Sequence, residues 1–263
     1  MGGAGARTAV GETQPEPHTL PTRASCTAYE SFYTQTVRAL DGAVVIRAHE
    51  HVSTDALAVA RDRVGRVLGG CASSVRSNLR AAGAELRVVG KDSPLTTLPE
   101  FRHLRGVKVG VCSHCMWLPW HGGEGERETN TIFLLPFVSI KGGLTPHEGD
   151  ATLDERSRGQ GGLFPVCGEE NLLDCASDPR YAGRDILAHE LAHCLFEYGL
   201  DDALRARIRA QFARSVEVER RWDRKKESDS SPQKAPSERA YAGTNVDEYF
   251  AESTMWYDDT ANH

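Results

Sequence analysis

The stretch Arg184-Asp185-Ile186-Leu187-Ala188-His189-Glu190-Leu191-Ala192-His193-Cys194-Leu195-Phe196 decides how the rest of the chain is read. From Ile186 to Leu195 it is mostly apolar apart from three residues, which predicts a buried helix over about 184–198 with Gly199 as its C-terminal cap. On a helix, His189 and His193 stand one turn apart on one face. Two imidazoles at that spacing suit a single zinc ion, and Glu190 then lies beside the metal, where it takes a proton from bound water. The competing reading is a buried helix whose histidines are satisfied by hydrogen bonds, since every buried polar group needs a partner.

A catalytic zinc requires a third protein ligand, drawn from Glu, Asp, His or Cys on another element, and an open position for water. The segment 246–257 predicts a helix on which Glu248 and Glu252 share a face. Tyr249, Phe250, Met255 and Trp256 surround them, which argues that the helix is buried and its carboxylates are not mere surface charge. A solvated glutamate pair on an exposed edge is the alternative.

The sequence Tyr241-Ala242-Gly243-Thr244-Asn245-Val246-Asp247-Glu248-Tyr249-Phe250-Ala251-Glu252 resembles a motif of the lethal-factor-like gluzincins. These include the anthrax lethal factor catalytic domain and the Pro-Pro endopeptidases. The motif is a tyrosine, six residues, then Glu-aromatic-Phe-Ala-Glu, downstream of His-Glu-x-x-His. The resemblance covers 184–196 and 241–252, with a looser likeness from Gly168 to His193. It implies zinc held by His189, His193 and Glu248, with Glu190 as general base and Tyr241 as a hydrogen-bond donor to the scissile carbonyl. It implies Glu252 as a carboxylate behind the ligands. The expected function is zinc-dependent hydrolysis of peptide bonds by a metal-activated water, on a peptide or protein substrate. The alternatives are a catalytically silent zinc-fold binding module and a hydrolase of a non-peptide amide.

The remaining chain frames that site. Its 263 residues, 40% hydrophobic and 26% charged, suit one soluble domain. A net charge of −6 offers no global field for nucleic acid. No apolar run reaches membrane-spanning length and no signal segment is visible. The expectation is a soluble protein, cytoplasmic by default, or secreted if the true start lies elsewhere. Residues 1–25 read as a disordered tail and 26–263 as one zincin-like α+β domain. Its N-terminal lobe is a small twisted sheet with helices, and its C-terminal lobe is mostly helical.

Within that domain the pattern predicts a short helix over 26–40, a strand over 42–48, helices ending at Gly69 and Gly83, and a strand over 84–89. The region 106–150 reads as an irregular insertion and 223–238 as a mobile loop. A further strand is expected over 163–166, with 161–166 near the cleft edge, and Gly159-Gln160-Gly161-Gly162 reads as a backbone turn. Three lesser constellations remain. Cys112 and Cys115 have zinc-like spacing without a matching second pair. His49-Glu50-His51 reads as strand-end surface. Of the seven cysteines, Cys194 reads as a buried free thiol, and Cys167 and Cys175 are near enough in sequence to pair.

Overall fold

Three of the four strands lie in the first half of the described chain, and the helices that carry the candidate site lie in the second. The structure, a computed structural model, describes residues 30–106, 151–175, 178, 181, 183–219 and 241–260. The expected tail at 1–25, the insertion beyond Gly106 with Cys112 and Cys115, and the loop at 223–238 lie outside the described residues.

Strand β1, Gln35–Ala39, pairs antiparallel with β2, Val44–Ala48, in the register Val37↔Ile46. This corrects the helix expected over 26–40 from Gln35 onward; Glu30–Phe32 are helical, and 26–29 lie outside the described residues. Burial alternates along Gln35–Ala39, and the turn that follows folds the segment back onto β2. Leu40, Asp41 and Gly42 turn the chain with φ of 48°, 55° and 81°, a conformation only the glycine adopts without strain. Strands β3, Glu85–Val89, and β4, Val166–Gly168, add parallel, giving the four-stranded order β1-β2-β3-β4.

Parallel neighbours need a crossover. Between β2 and β3 it consists of α1, Thr54–Gly69, and α2, Ser73–Ala82. Both obey their sequence signals. Ser53 Oγ caps α1 by accepting from Ala56 N at 3.2 Å, and α2 closes at Gly83 in the left-handed region, φ 74°. Strand β4 begins later than its expected start. The carbonyls of Leu163 and Pro165 already accept from the N–H groups of Glu85 and Arg87 (3.3 and 2.8 Å), but Pro165 has no N–H of its own to offer a ladder.

The two faces of the sheet are both covered. Val44, Ile46, Leu86 and Val88 pack with Leu57, Val64 and Leu68 of α1 and with Leu187 and Leu191 of the metal-motif helix. On the other face Val89 and Val166 pack with Tyr33, Leu95, Leu98, Phe101 and Leu153. Leu86 and Val88 thus face one layer and Val89 the other, as a pleated strand requires. Arg87 is buried beside the second layer, between the rings of Tyr33 (4.3 Å) and Phe164 (4.8 Å), and is paired with Glu85 and with Glu100 at 2.9 Å.

The later helices are α3, Leu153–Arg156, α4, Glu169–Leu172, α5, Ile186–Cys194, α6, Asp202–Ala213, and α7, Val246–Thr260. The predicted metal-site helix runs as α5 and then widens into a π-helical turn, Leu195–Gly199. Gly199 is required there by space: a Cβ would lie 2.8 Å from Leu195 Cδ1 and 3.3 Å from both Val75 and Leu79 on α2. Asp201 caps α6, accepting from Leu204 N at 2.8 Å. Helix α7 packs on α5 more extensively than any other pair of elements among the described residues. Phe250 meets Phe196 with ring centroids 5.5 Å apart. The architecture is mixed α and β with a small sheet. Among the described residues no helix is long and apolar enough to cross a membrane.

Candidate metal centre

The start of α5 is held from three directions before any functional side chain is reached. Asp185 caps it, accepting from Ala188 N at 3.0 Å, and Arg63 pairs with Asp185 at 3.1 Å. Asn171, at the end of β4's short helix α4, accepts from Ile186 N (3.0 Å) and donates to the Arg184 carbonyl (2.8 Å) and to Asp178 (3.0 Å). With both of its polar ends engaged, this buried amide fixes the axial position of the helix against the sheet.

One turn further, His189 and Glu190 are 0% and 1% exposed, while His193 is half-buried. Helix α7 starts at Asn245, whose side-chain oxygen accepts from Glu248 N at 2.9 Å. That cap places Glu248 in the first turn, over the two histidines. The three donor atoms form a small triangle. His189 Nε2 and His193 Nε2 are 3.2 Å apart, and Glu248 Oε2 lies 3.2 Å from the first and 3.6 Å from the second. For bonds of about 2.0–2.1 Å to zinc, the corners of a tetrahedron stand about 3.3–3.4 Å apart. The donor set and its spacing therefore fit zinc, with two imidazoles and one carboxylate leaving a fourth direction open.

The groups around the triangle support it. Glu252 Oε1 lies 2.9 Å from His189 Nδ1; a zinc ion on Nε2 would leave Nδ1 as the N–H of the ring, facing that carboxylate. Tyr241, in a 3₁₀ turn at Tyr241–Gly243, has its ring 6.2 Å from that of His189. Burial raises the Tyr241 phenol well above its ordinary value, and the charge of Glu248 and a hydrogen bond to it add to the effect. The hydroxyl therefore keeps its proton. Burial opposes ionisation of Glu248, but hydrogen bonds from His189 and His193 outweigh it and hold the carboxyl well below its usual range. Burial likewise opposes a charge on His193, and the hydrogen bond to Glu248 outweighs it and raises the imidazole. A Glu190 carboxylate oxygen lies within 4.8 Å of both imidazoles.

The fourth wall is a segment read from sequence as a turn. Gln160 forms an antiparallel bridge to Val166, its N–H donating at 3.1 Å and its carbonyl accepting at 2.8 Å. Residues 159–161 thus run along the outer edge of β4 and across α5, and the chain bends over Gly162–Phe164, with Gly162 at φ 111°. A Cβ on Gly159 would stand 2.5 Å from Glu190 Oε1, and one on Gly161 would stand 2.9 Å from His193 Cβ. Both positions need glycine for close approach. Ser157 Oγ hydrogen-bonds the Gly159 N–H (3.2 Å) and its carbonyl, and Arg158 binds Glu170 through two bonds of 2.7 and 2.9 Å.

His189, His193, Glu190, Glu248, Glu252 and Tyr241 are therefore brought together. Sequence reasoning passed over Arg184, Asn171, Gly159 and Gly161. The glycine pair was visible, but its reason lies on another element. His49, Glu50 and His51 gather their ligand atoms within 4.8 Å in the turn after β2, with Glu50 and His51 exposed, a surface position as expected. Cys194 is a buried free thiol pushed up to about 12 by burial. Cys167 and Cys175 are both free, so the pairing that their nearness in sequence allowed is not formed. No family model, curated protein or solved structure matches this chain.

Proposed function

We propose that this protein is a zinc-dependent peptidase of the gluzincin type, built on a zincin-like α+β fold. The observation that carries the reading is the donor triangle. A carboxylate from α7 meets two histidines of α5 with edges of 3.2, 3.2 and 3.6 Å, although Glu248 is far from them in sequence.

A zinc ion held by His189, His193 and Glu248 would polarise a substrate carbonyl and acidify a water. Glu190 takes the proton of the attacking water and returns it to the departing amine. Its burial beneath Gly159 keeps the carboxylate dry and aimed. Tyr241, protonated at any working pH, leaves Glu248 to donate a hydrogen bond to the developing oxyanion. Glu252 holds the tautomer of His189. The bridge to β4 uses the N–H and carbonyl of Gln160, so those of Gly161 point the other way. Among the described residues they make no hydrogen bond, and they offer an extended peptide an edge to pair with beside His193. A silent zinc fold would have no use for a buried glutamate and a protonated tyrosine beside its ligands, which favours the catalytic reading.

The test is metal content of the purified protein, followed by cleavage profiling on a peptide library with and without chelator. We expect bound zinc and chelator-sensitive cleavage, and Glu248→Ala should lose most of the metal. Wild-type protein that takes up no zinc, or a Glu248→Ala variant with unchanged zinc content, overturns the assignment.

A further inference from the structure

We propose that Arg184 is a positioning residue for the metal ligand His189, acting through Glu252. The inference rests on the zinc reading above. Arg184 sits in the loop just before α5, and its carbonyl is clamped by Asn171 Nδ2 at 2.8 Å. Its backbone is thereby tied to the start of the metal-site helix, while its side chain crosses to α7. There the guanidinium NH2 stands 2.5 Å from Glu252 Oε1.

The same oxygen faces His189 Nδ1 at 2.9 Å. One carboxylate oxygen thus accepts a hydrogen bond from Arg184 and lies within ion-pair distance of His189 Nδ1. Arg184 and His189 are five residues apart, a spacing that does not put side chains together on a helix face. They meet only through the carboxylate of α7.

A glutamate has three side-chain torsions, and one donor alone leaves its carboxylate free to rotate away. With the guanidinium engaged, Oε1 stays opposite Nδ1. The ring proton of His189 then stays on Nδ1, and Nε2 keeps its lone pair toward His193 and Glu248. Burial strengthens the arrangement on the inner side: Glu252 is 6% exposed and His189 is 0% exposed, while the Arg184 side chain, one-third exposed, closes it toward solvent. Arg184 also couples the start of α5 to the face of α7 that carries Glu248.

The experiment measures zinc affinity by competition with a chromophoric chelator, on full-length protein stripped of metal and checked for folding by circular dichroism. Wild type is compared with Arg184→Met, Arg184→Lys, Glu252→Gln and the double variant Arg184→Met/Glu252→Gln. Arg184→Met and Glu252→Gln should each weaken zinc binding about 10–100-fold, the usual effect of losing a partner behind a ligand. The double variant should bind no more weakly than Glu252→Gln alone, because both changes break one chain of contacts. Arg184→Lys keeps the charge without the guanidinium geometry and should fall between wild type and Arg184→Met. The Nδ1–H resonance of His189 should move in Arg184→Met, a change that loss of a remote structural ion pair would not cause.

Wild-type zinc affinity in Arg184→Met overturns the proposal, as do losses that multiply in the double variant. If Arg184→Met does not fold, the lysine variant decides alone, and unchanged affinity there has the same meaning. Wild-type protein without zinc affinity defeats the underlying zinc reading instead, so the two failures are distinct.

Discussion

Helix α5 and the segment 157–161 that crosses it serve one centre in opposite ways. The helix supplies chemical groups: two imidazoles and a carboxylate on successive turns. The crossing segment supplies missing side chains, since Gly159 leaves room for Glu190 and Gly161 leaves room for His193. The helix obeys a local rule, because the spacing of its residues alone puts His189 above His193. The segment obeys a tertiary one, because each glycine is required by an atom some thirty residues later in the chain. A motif search finds the first kind of residue and passes over the second.

Substitutions on the two sides should therefore fail differently. The largest effect is expected on the helix. On the proposed mechanism Glu190→Gln should bind zinc as wild type does and lose turnover on the order of 10³-fold, since glutamine cannot serve as the general base. Hydrolysis by that variant at the wild-type rate would falsify the mechanism. Tyr241→Phe removes the hydroxyl proposed as oxyanion donor and should lower kcat roughly a hundredfold with zinc content unchanged. A change in KM alone would assign the tyrosine to substrate binding.

The next two changes probe the crossing segment. Gly159→Ala puts a Cβ 2.5 Å from Glu190 Oε1 and 2.7 Å from Ile186 Cγ2. The carboxylate is the softer neighbour, so it should turn aside and kcat should drop by tens-fold with zinc retained. An alanine tolerated at full activity would make the segment a bystander. Gly161→Ala meets His193 at its Cβ, 2.9 Å away, where the side chain cannot swing clear. It should loosen zinc about tenfold, measured by chelator competition. If the two alanines gave the same phenotype, the division between the seat of the base and the seat of the ligand would collapse.

How much of this was legible depends on the range of each signal. The helices α1, α2, α5 and α7 follow from apolar periodicity and from breakers such as Gly69, Gly83 and Gly199, all read within one segment. Strand β1 was not legible as a strand. Gln35–Ala39 alternates over only five residues, and its partner β2 lies across a turn made of left-handed Leu40, Asp41 and Gly42. Strand β4 was placed too early because its apolar run contains Pro165, which accepts a bond from Arg87 but cannot donate one. The widening of α5 into a π-helical turn had no sequence signature.

The sequence by itself determined the chemical inventory: two histidines and a glutamate on one helix, two glutamates on another, and a tyrosine ahead of them. It did so because those residues lie within a turn or two of one another, where backbone geometry dictates who is neighbour to whom. Only the tertiary structure decided that Glu248 faces the imidazoles at 3.2 and 3.6 Å, that Glu252 reaches Nδ1 of His189, and that Arg184 reaches Glu252. Those distances are set by the packing of α7 on α5 through buried residues such as Phe196 and Ala251, and helix packing depends on side-chain volumes spread along the whole chain rather than on any local pattern.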